Sequence, residues 1–166
     1  MHNTVQNLIN IEKEIKNNLN ELNINNQTKI IAVSKTFGIN KIMPLIDYGH
    51  IDFGENKVQE AIDKWSEIKD RNENIKLHMI GKLQTNKVKF AVKLFDYIHS
   101  VDSQKLALKI SDESLKINKK IKIFIQVNIG EEIQKAGINK EEVENLVIFC
   151  KKLNLDLIGL MCIPPI

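Results

Sequence analysis

The chain has 166 residues, of which 43% are hydrophobic and 27% charged, and its formal net charge is +3. These proportions are ordinary for a globular protein, and the length predicts one domain with a sizeable core. All basic residues except Arg71 are lysine, and only 5% of the residues are aromatic. A nucleic-acid partner is therefore not expected, because base readout favours arginine and base stacking requires aromatic rings.

The sequence predicts neither a secreted protein nor a membrane protein. The N-terminus lacks a basic segment followed by an apolar one, and the longest apolar run, at 157–166, is too short to cross a bilayer. Cys150 and Cys162 have no CxxC spacing and are expected to be reduced core residues. We therefore expect a cytoplasmic protein without a membrane partner.

Hydrophobic periodicity predicts alternating helices and strands. In chain order the predicted elements are a helix at 4–22, a strand at 30–33, a helix at 39–48, a strand at 51–53, a helix at 55–68, a strand at 76–80, a helix from about 85, a strand at 97–101, a helix at 103–115, a strand at 121–128, a helix at 140–153 and a strand at 155–161. This order predicts a parallel α/β sheet, either doubly wound or part of a (β/α)₈ barrel.

Lys35 is the residue that the predicted sheet places most distinctively. It follows the apolar run at 30–33 and precedes the loop that begins near Gly38. In parallel α/β folds this end of a strand is where ligands bind and catalytic groups lie. An amine held there can become nucleophilic toward a carbonyl group. The alternative is that Lys35 is an ordinary solvated lysine.

Polar residues and glycines also follow the other predicted strands, and together they predict a small-molecule site. They are Gly54, Glu55, Asn56, Gly81, Gln84, His99, Asp102 and Asn128. Each has a structural alternative: the glycines can serve sharp turns, Asn56 and Asp102 can cap helices, and His78 can be a hydrogen-bonded core residue. Nucleotide-binding, hydrolase and metal motifs are absent from the sequence.

Six sequence motifs occur in a fixed order from Lys29 onward. They are V-S-K-T (33–36), D-F-G-E-N-K-V-Q-E (52–60), H-M-I-G-K-L-Q-T-N-K (78–87), H-S-V-D (99–102), Q-V-N (126–128) and G-L-M-C-I-P (159–164). As a set they resemble the pyridoxal phosphate homeostasis protein family. The long motifs at 52–60 and 78–87 make this resemblance specific.

The resemblance implies a TIM-type (β/α)₈ barrel of PLP fold type III, similar to the N-terminal domain of alanine racemase, with pyridoxal 5′-phosphate (PLP) as cofactor. The family lysine that forms the Schiff base falls on Lys35, Asn56 and His78 fall near the cofactor, and Lys135 matches a second family lysine. Family members are monomers that take part in PLP homeostasis, and in vitamin B6 and amino-acid balance, without established catalysis. The resemblance therefore implies one PLP-binding domain at 1–166, with no catalytic residue and no metal.

The chain departs from the family pattern in two places. Gln134 stands where serine is frequent, and the six predicted βα units lack strands seven and eight, which carry the phosphate-binding segment in the family. We therefore expect a C-terminally truncated, incomplete barrel with weak or absent cofactor binding, and self-association through its open edges. A PLP-dependent enzyme of the racemase type and an inactive fragment remain as alternative functions.

Overall fold

The fold alternates strands and helices as the sequence predicts. The computed structural model describes residues 2–25, 28–130 and 136–164. The strands are β1 (Ala32–Val33), β2 (Asp52–Glu55), β3 (Lys76–Met79), β4 (Tyr97–Val101), β5 (Ile121–Gln126) and β6 (Leu155–Met161). The helices are α1 (Asn3–Glu21), α2 (Ile39–Tyr48), α3 (Val58–Arg71), α4 (Val88–Leu94), α5 (Gln104–Lys116) and α6 (Val143–Cys150), with 3₁₀ turns at Thr85–Lys87 and Lys140–Glu142.

The six strands form one parallel sheet whose spatial order is the order of the chain, β1-β2-β3-β4-β5-β6. A doubly wound sheet reverses its strand order at a switch point, whereas a barrel adds each strand beside the previous one. The structure therefore confirms the barrel prediction: it is six units of a TIM-type barrel. The described part of the chain contains no seventh strand.

The core lies between the outer face of the sheet and the helices. Phe53 of β2 packs on Trp65 of α3, with ring centroids 4.9 Å apart, and both side chains are fully buried. The predicted apolar face of the fourth helix, which includes Val88 and Ala91, is also buried. Because side chains alternate along a strand, Asp52 and Gly54 lie on the opposite, inner face of β2.

Some predicted boundaries and environments are wrong. The strand predicted at 51–53 continues to Glu55, and α3 begins at Val58, after Lys57 as its N-cap residue. Asn56 is therefore not a cap, and α5 is capped by Ser103 rather than Asp102. Of the two cysteines, both of which are free, Cys150 lies in the core but Cys162 is exposed.

Among the helices in the described ranges, none combines the length and the hydropathy that a bilayer span requires.

Candidate functional site

The carboxyl ends of β1, β2 and β3 bring Lys35 and Asn56 together. Val33 pairs with Gly54, so Lys35 and Asn56 follow at the same level on neighbouring chain segments. The ladder continues past the strands, because the Ser34 N–H donates to the Gly54 carbonyl at 2.9 Å. Adjacent strands are separated by about 5 Å, and the two residues therefore share one end of the sheet.

Lys35 presents an exposed amine at this end. Its side chain is exposed, and its amine forms no hydrogen bond or ion pair with any residue in the described ranges. Lys35 lies in a turn with Thr36, whose hydroxyl donates to the Lys35 carbonyl at 2.6 Å. The backbone of this turn is ordered by neighbouring side chains, while the amine is left available for a ligand.

A buried carboxylate fixes the residue before Lys35. Glu55 is completely buried, and its Oε1 accepts hydrogen bonds from the Ser34 hydroxyl at 2.8 Å, Lys64 Nζ at 2.9 Å and Trp65 Nε1 at 3.0 Å. A charge buried in the core requires such partners, because desolvation without compensation is costly. The cluster therefore anchors the end of β1 to β2 and α3.

A second carboxylate, that of Glu60, contacts the residue after Lys35. The Thr36 N–H donates to Glu60 Oε1 at 2.8 Å, and Lys64 Nζ lies 3.4 Å from the same oxygen. The Thr36 hydrogen bond and, to a smaller extent, Lys64 hold the pKa of Glu60 below its ordinary value of 4.5. Glu60 is therefore ionised at neutral pH.

Asn56 and Gly81 form a tight backbone contact at the ends of β2 and β3. A Cβ on Gly81 would lie 2.3 Å from the Asn56 carbonyl oxygen, which leaves room only for glycine. Asn56 Oδ1 is buried and has no hydrogen-bond partner among the described residues. Gly81 lines a cavity of ≈ 220 Å³ together with Gln126 and Asn128, whereas Asn56 lines a separate cavity of ≈ 330 Å³. A buried acceptor without a partner fits a ligand that donates a hydrogen bond.

His78 lies one side-chain layer below this end. It pairs with Gly54 on the inner face, and the next residue on that face is Ile80, directly after β3. Its Nε2 lies 3.0 Å from Asp52 Oδ1, its Nδ1 lies 2.9 Å from His99 Nε2, and its ring stacks on Tyr97 with centroids 4.3 Å apart. Both ring nitrogens are therefore engaged within the protein.

The hydrogen bonds that link Asp52, His78 and His99 determine which ring nitrogens carry a proton. Because the Asp52 carboxylate is an acceptor, His78 donates through Nε2 and its Nδ1 accepts from the Nε2–H of His99. Burial lowers the pKa of His78 below its ordinary value, and the nearby Asp52 partly offsets this effect. Burial, together with the positive charge that His78 can carry, lowers the pKa of His99 to about 4. Both rings are neutral at pH 7.

The low pKa of His99 predicts that acid destabilises the fold. The unfolded chain binds a proton below the ordinary pKa of 6.5, whereas the folded chain does not until about 4. The free energy of unfolding should therefore fall by about 2 kcal/mol between about pH 7 and about pH 5. Urea unfolding at both pH values should show a smaller loss in His99→Gln, whose amide still donates but does not titrate. An equal loss in both proteins would contradict this assignment.

The remaining predicted residue, Lys135, lies outside the described residues, as does Gln134. The largest cavity described, of ≈ 540 Å³, lies at the opposite end of the strands between α1 and β1–β2. Its described lining contains none of Lys35, Asn56 and His78. We place the candidate site at the carboxyl ends, since the unpaired amine and the unpartnered amide oxygen lie there.

Sequence reasoning missed the residues that hold the site together. Glu55 was predicted only as a polar residue at a strand end, and neither its burial nor the roles of Glu60 and Lys64 were predicted, although the spacing of Glu60 and Lys64 is that of a helical ion pair. The link from His78 to Asp52 and His99 was also missed. The order of the predicted strands could have indicated this link, because it places Asp52, His78 and His99 on three adjacent strands.

The comparisons with known proteins define the class of domain first. The family profile described as "Alanine racemase, N-terminal domain" matches residues 10–165. The alanine racemase of Clostridium difficile shares the fold, with a TM-score of 0.66 at 20% identity over 88% of this chain and 38% of the racemase. Fold and sequence together define an alanine racemase N-terminal-like barrel domain.

Closer relatives define the family within that class. The pyridoxal phosphate homeostasis protein of Haemophilus influenzae is 35% identical over 164 residues, which cover 98% of this chain and 69% of that protein. Its counterpart in Buchnera aphidicola is 38% identical over 139 residues, which cover 83% of this chain and 60% of that protein. The chain belongs to the pyridoxal phosphate homeostasis protein family, and it spans about two thirds of the length of these curated relatives.

A solved structure supports the same assignment. PipY of Synechococcus elongatus, determined with PLP bound, has a TM-score of 0.77 and 34% identity to this chain. The match covers 89% of this chain and 69% of PipY. The predicted resemblance to the family is therefore confirmed by sequence and by fold.

Proposed function

We propose that this chain binds PLP through Lys35 and takes part in PLP homeostasis, balancing vitamin B6 and amino acids without catalysing a reaction. Two comparisons support this proposal. The curated relatives are named pyridoxal phosphate homeostasis proteins, and the structure of PipY was determined with PLP bound. Both cysteines are free, which is consistent with the reducing cytoplasm as the site of action.

The observation that carries the proposal is the exposed amine of Lys35, which has no partner among the described residues and lies on an ordered turn at the same end of the sheet as Asn56. PLP supplies an aldehyde, which condenses reversibly with an amine. The Lys35 nitrogen becomes doubly bonded to the aldehyde carbon, and the aldehyde oxygen leaves as water with both protons of the neutral amine. Such a Schiff base can store and release the aldehyde.

The other predicted residues have distinct roles in this proposal. Asn56 supplies the unpartnered acceptor Oδ1 at the level of Lys35. His78 supports the layer beneath the site and acts indirectly, because Asp52 and His99 occupy both of its ring nitrogens. Lys135 remains proposed as a second cofactor-binding lysine, on the family resemblance alone.

The tyrosines favour binding over racemisation. A racemase requires a second acid/base group on the opposite face of the cofactor. Tyr97 begins β4 at the other end of the strands and stacks on the buried His78, while Tyr48 is exposed at the end of α2. Neither tyrosine lies beside Lys35. We therefore assign the chain a binding function.

The proposal is tested by titrating the full chain with PLP, reducing with borohydride and mapping the labelled peptides. Label should concentrate on Lys35 and disappear in Lys35→Ala. Lys41→Ala, which removes an exposed lysine from α2, should retain it. Alanine racemisation by the loaded protein should not exceed that of free PLP. Scattered labelling, unchanged in Lys35→Ala, would refute the assignment of Lys35.

A further inference from the structure

The turn that carries Lys35 has a backbone conformation that its sequence does not favour. Thr36 has a φ of +66°, in the left-handed region. A β-branched residue rarely adopts this region, because its Cβ approaches the following carbonyl oxygen, whereas glycine adopts it without strain. Interactions from elsewhere in the fold therefore have to compensate for the strain at Thr36.

These interactions come from the first two turns of α3. The Thr36 N–H donates to Glu60 Oε1 at 2.8 Å, and Lys64 Nζ donates to the Ser34 carbonyl at 2.8 Å. Glu60 and Lys64 are one helical turn apart and form an ion pair of 3.4 Å. The backbone groups on both sides of Lys35 are therefore bonded to one face of a single helix.

We infer that Glu60 is a positioning residue for Lys35, because its side chain holds the Thr36 turn in the conformation that presents the amine. This inference rests on the proposed function, since it concerns the same lysine. Glu60 acts only through the Thr36 backbone and takes no part in bond formation. The hydrogen bond from Thr36 makes the turn rigid while it leaves the Lys35 side chain unrestrained.

Glu60 could instead position Lys35 through its ion pair with Lys64. The two explanations predict different labelling rates for the same variants. If the hydrogen bond to Thr36 positions the lysine, an uncharged oxygen acceptor is sufficient. Glu60→Gln keeps that acceptor, whereas Glu60→Ala removes it. If the ion pair is responsible, both variants should fail equally, because neither carries a charge. The hydrogen bond from the Thr36 N–H is 2.8 Å long, whereas the ion pair with Lys64 is 3.4 Å long, and the shorter contact favours the hydrogen bond.

The experiment measures the rate at which PLP labels Lys35, trapped by borohydride, in the full chain. Glu60→Ala should slow labelling about tenfold, since the strained turn then populates other conformations. Glu60→Gln should react nearly as fast as the unaltered chain. Glu67→Ala is the matched control, because Glu67 lies on the same helix with a side chain that is 88% exposed and, among the described residues, paired only with Arg71, at 3.8 Å. It should not change the rate.

The outcomes separate this inference from the proposed function. If the unaltered chain is not labelled selectively at Lys35, the proposed function fails. If labelling is selective but Glu60→Ala reacts as fast as Glu67→Ala, the positioning role is overturned and the proposed function stands. The positioning role is also overturned if Glu60→Gln is as slow as Glu60→Ala. Urea unfolding of each variant shows that the compared proteins are folded.

Discussion

Replacing Lys64 by methionine should lower the free energy of unfolding by about 3–5 kcal/mol, because it leaves a buried carboxylate without its cation. Glu55 is fully buried, and the Lys64 side chain is only 10% exposed. Glu55 Oε2 is buried without a hydrogen-bond partner among the described residues, so little remains to stabilise the charge once Lys64 is gone. Urea unfolding at neutral pH measures the loss.

Two further variants show whether the buried charge is the cause. Glu55→Gln introduced into Lys64→Met removes the charge, keeps an acceptor for Ser34 and Trp65, and should recover part of the stability. Lys109→Met breaks an ion pair of similar length, 2.8 Å, whose lysine is 42% exposed, and should lower the stability much less than Lys64→Met does. Equal losses in Lys64→Met and Lys109→Met would show that burial of Glu55 is not decisive.

Gly81→Ala should destabilise the chain by about 3 kcal/mol. The added methyl group would meet the Asn56 backbone, with its carbonyl oxygen at 2.3 Å and its Cα at 2.7 Å. A flexible side chain could move away, but here two strand ends have to separate. Thermal or urea unfolding measures the effect, and weaker PLP labelling of Lys35 should accompany it, because Asn56 has to move.

Gly159→Ala provides the matched control for this steric argument. Gly159 lies in β6, and a methyl group there would meet only the Phe124 ring, at an ordinary contact distance of 3.7 Å. Stability should change by no more than about 0.5 kcal/mol, since the interior-strand cost of glycine is removed without a clash. A loss of stability in Gly159→Ala as large as that in Gly81→Ala would show that the lack of space at Gly81 is not the cause.

Local patterns were sufficient to predict the order of the elements. The strands at 97–101 and 155–161 and the helix at 39–48 have the predicted bounds, because apolar residues mark the two strands and Gly49 ends the helix. The end of β2 was predicted wrongly because Glu55 is charged, and a charged residue indicates the start of a solvated helix. The donors that allow its burial, Ser34 and Lys64, lie 21 and 9 residues away. Local periodicity contains no information about such contacts.

The candidate site was predictable only in part for the same reason. The apolar run at 30–33 predicted that Lys35 follows a buried strand, and β1 does end at Val33, although Ala32 is only half-buried and Val33 is exposed. The left-handed backbone of Thr36 was not predictable, since threonine does not favour it and the compensating Glu60 lies 24 residues further on. The sequence shows His78 and His99, but the hydrogen bond between them depends on the register of β3 and β4, which local patterns do not determine.

The strand order has a consequence for how the protein folds during synthesis. Paired residues in neighbouring strands are separated by between 19 residues, for His78 with Tyr97, and 35 residues, for Phe124 with Gly159. Each strand therefore finds its partner in the segment that left the ribosome just before it. Among the six described strands, each pairs with its neighbours in the chain, so the entropy lost in closing each connecting loop is small. Folding can proceed from the N-terminus as the chain is made, and the Lys35 turn is anchored once α3 has formed.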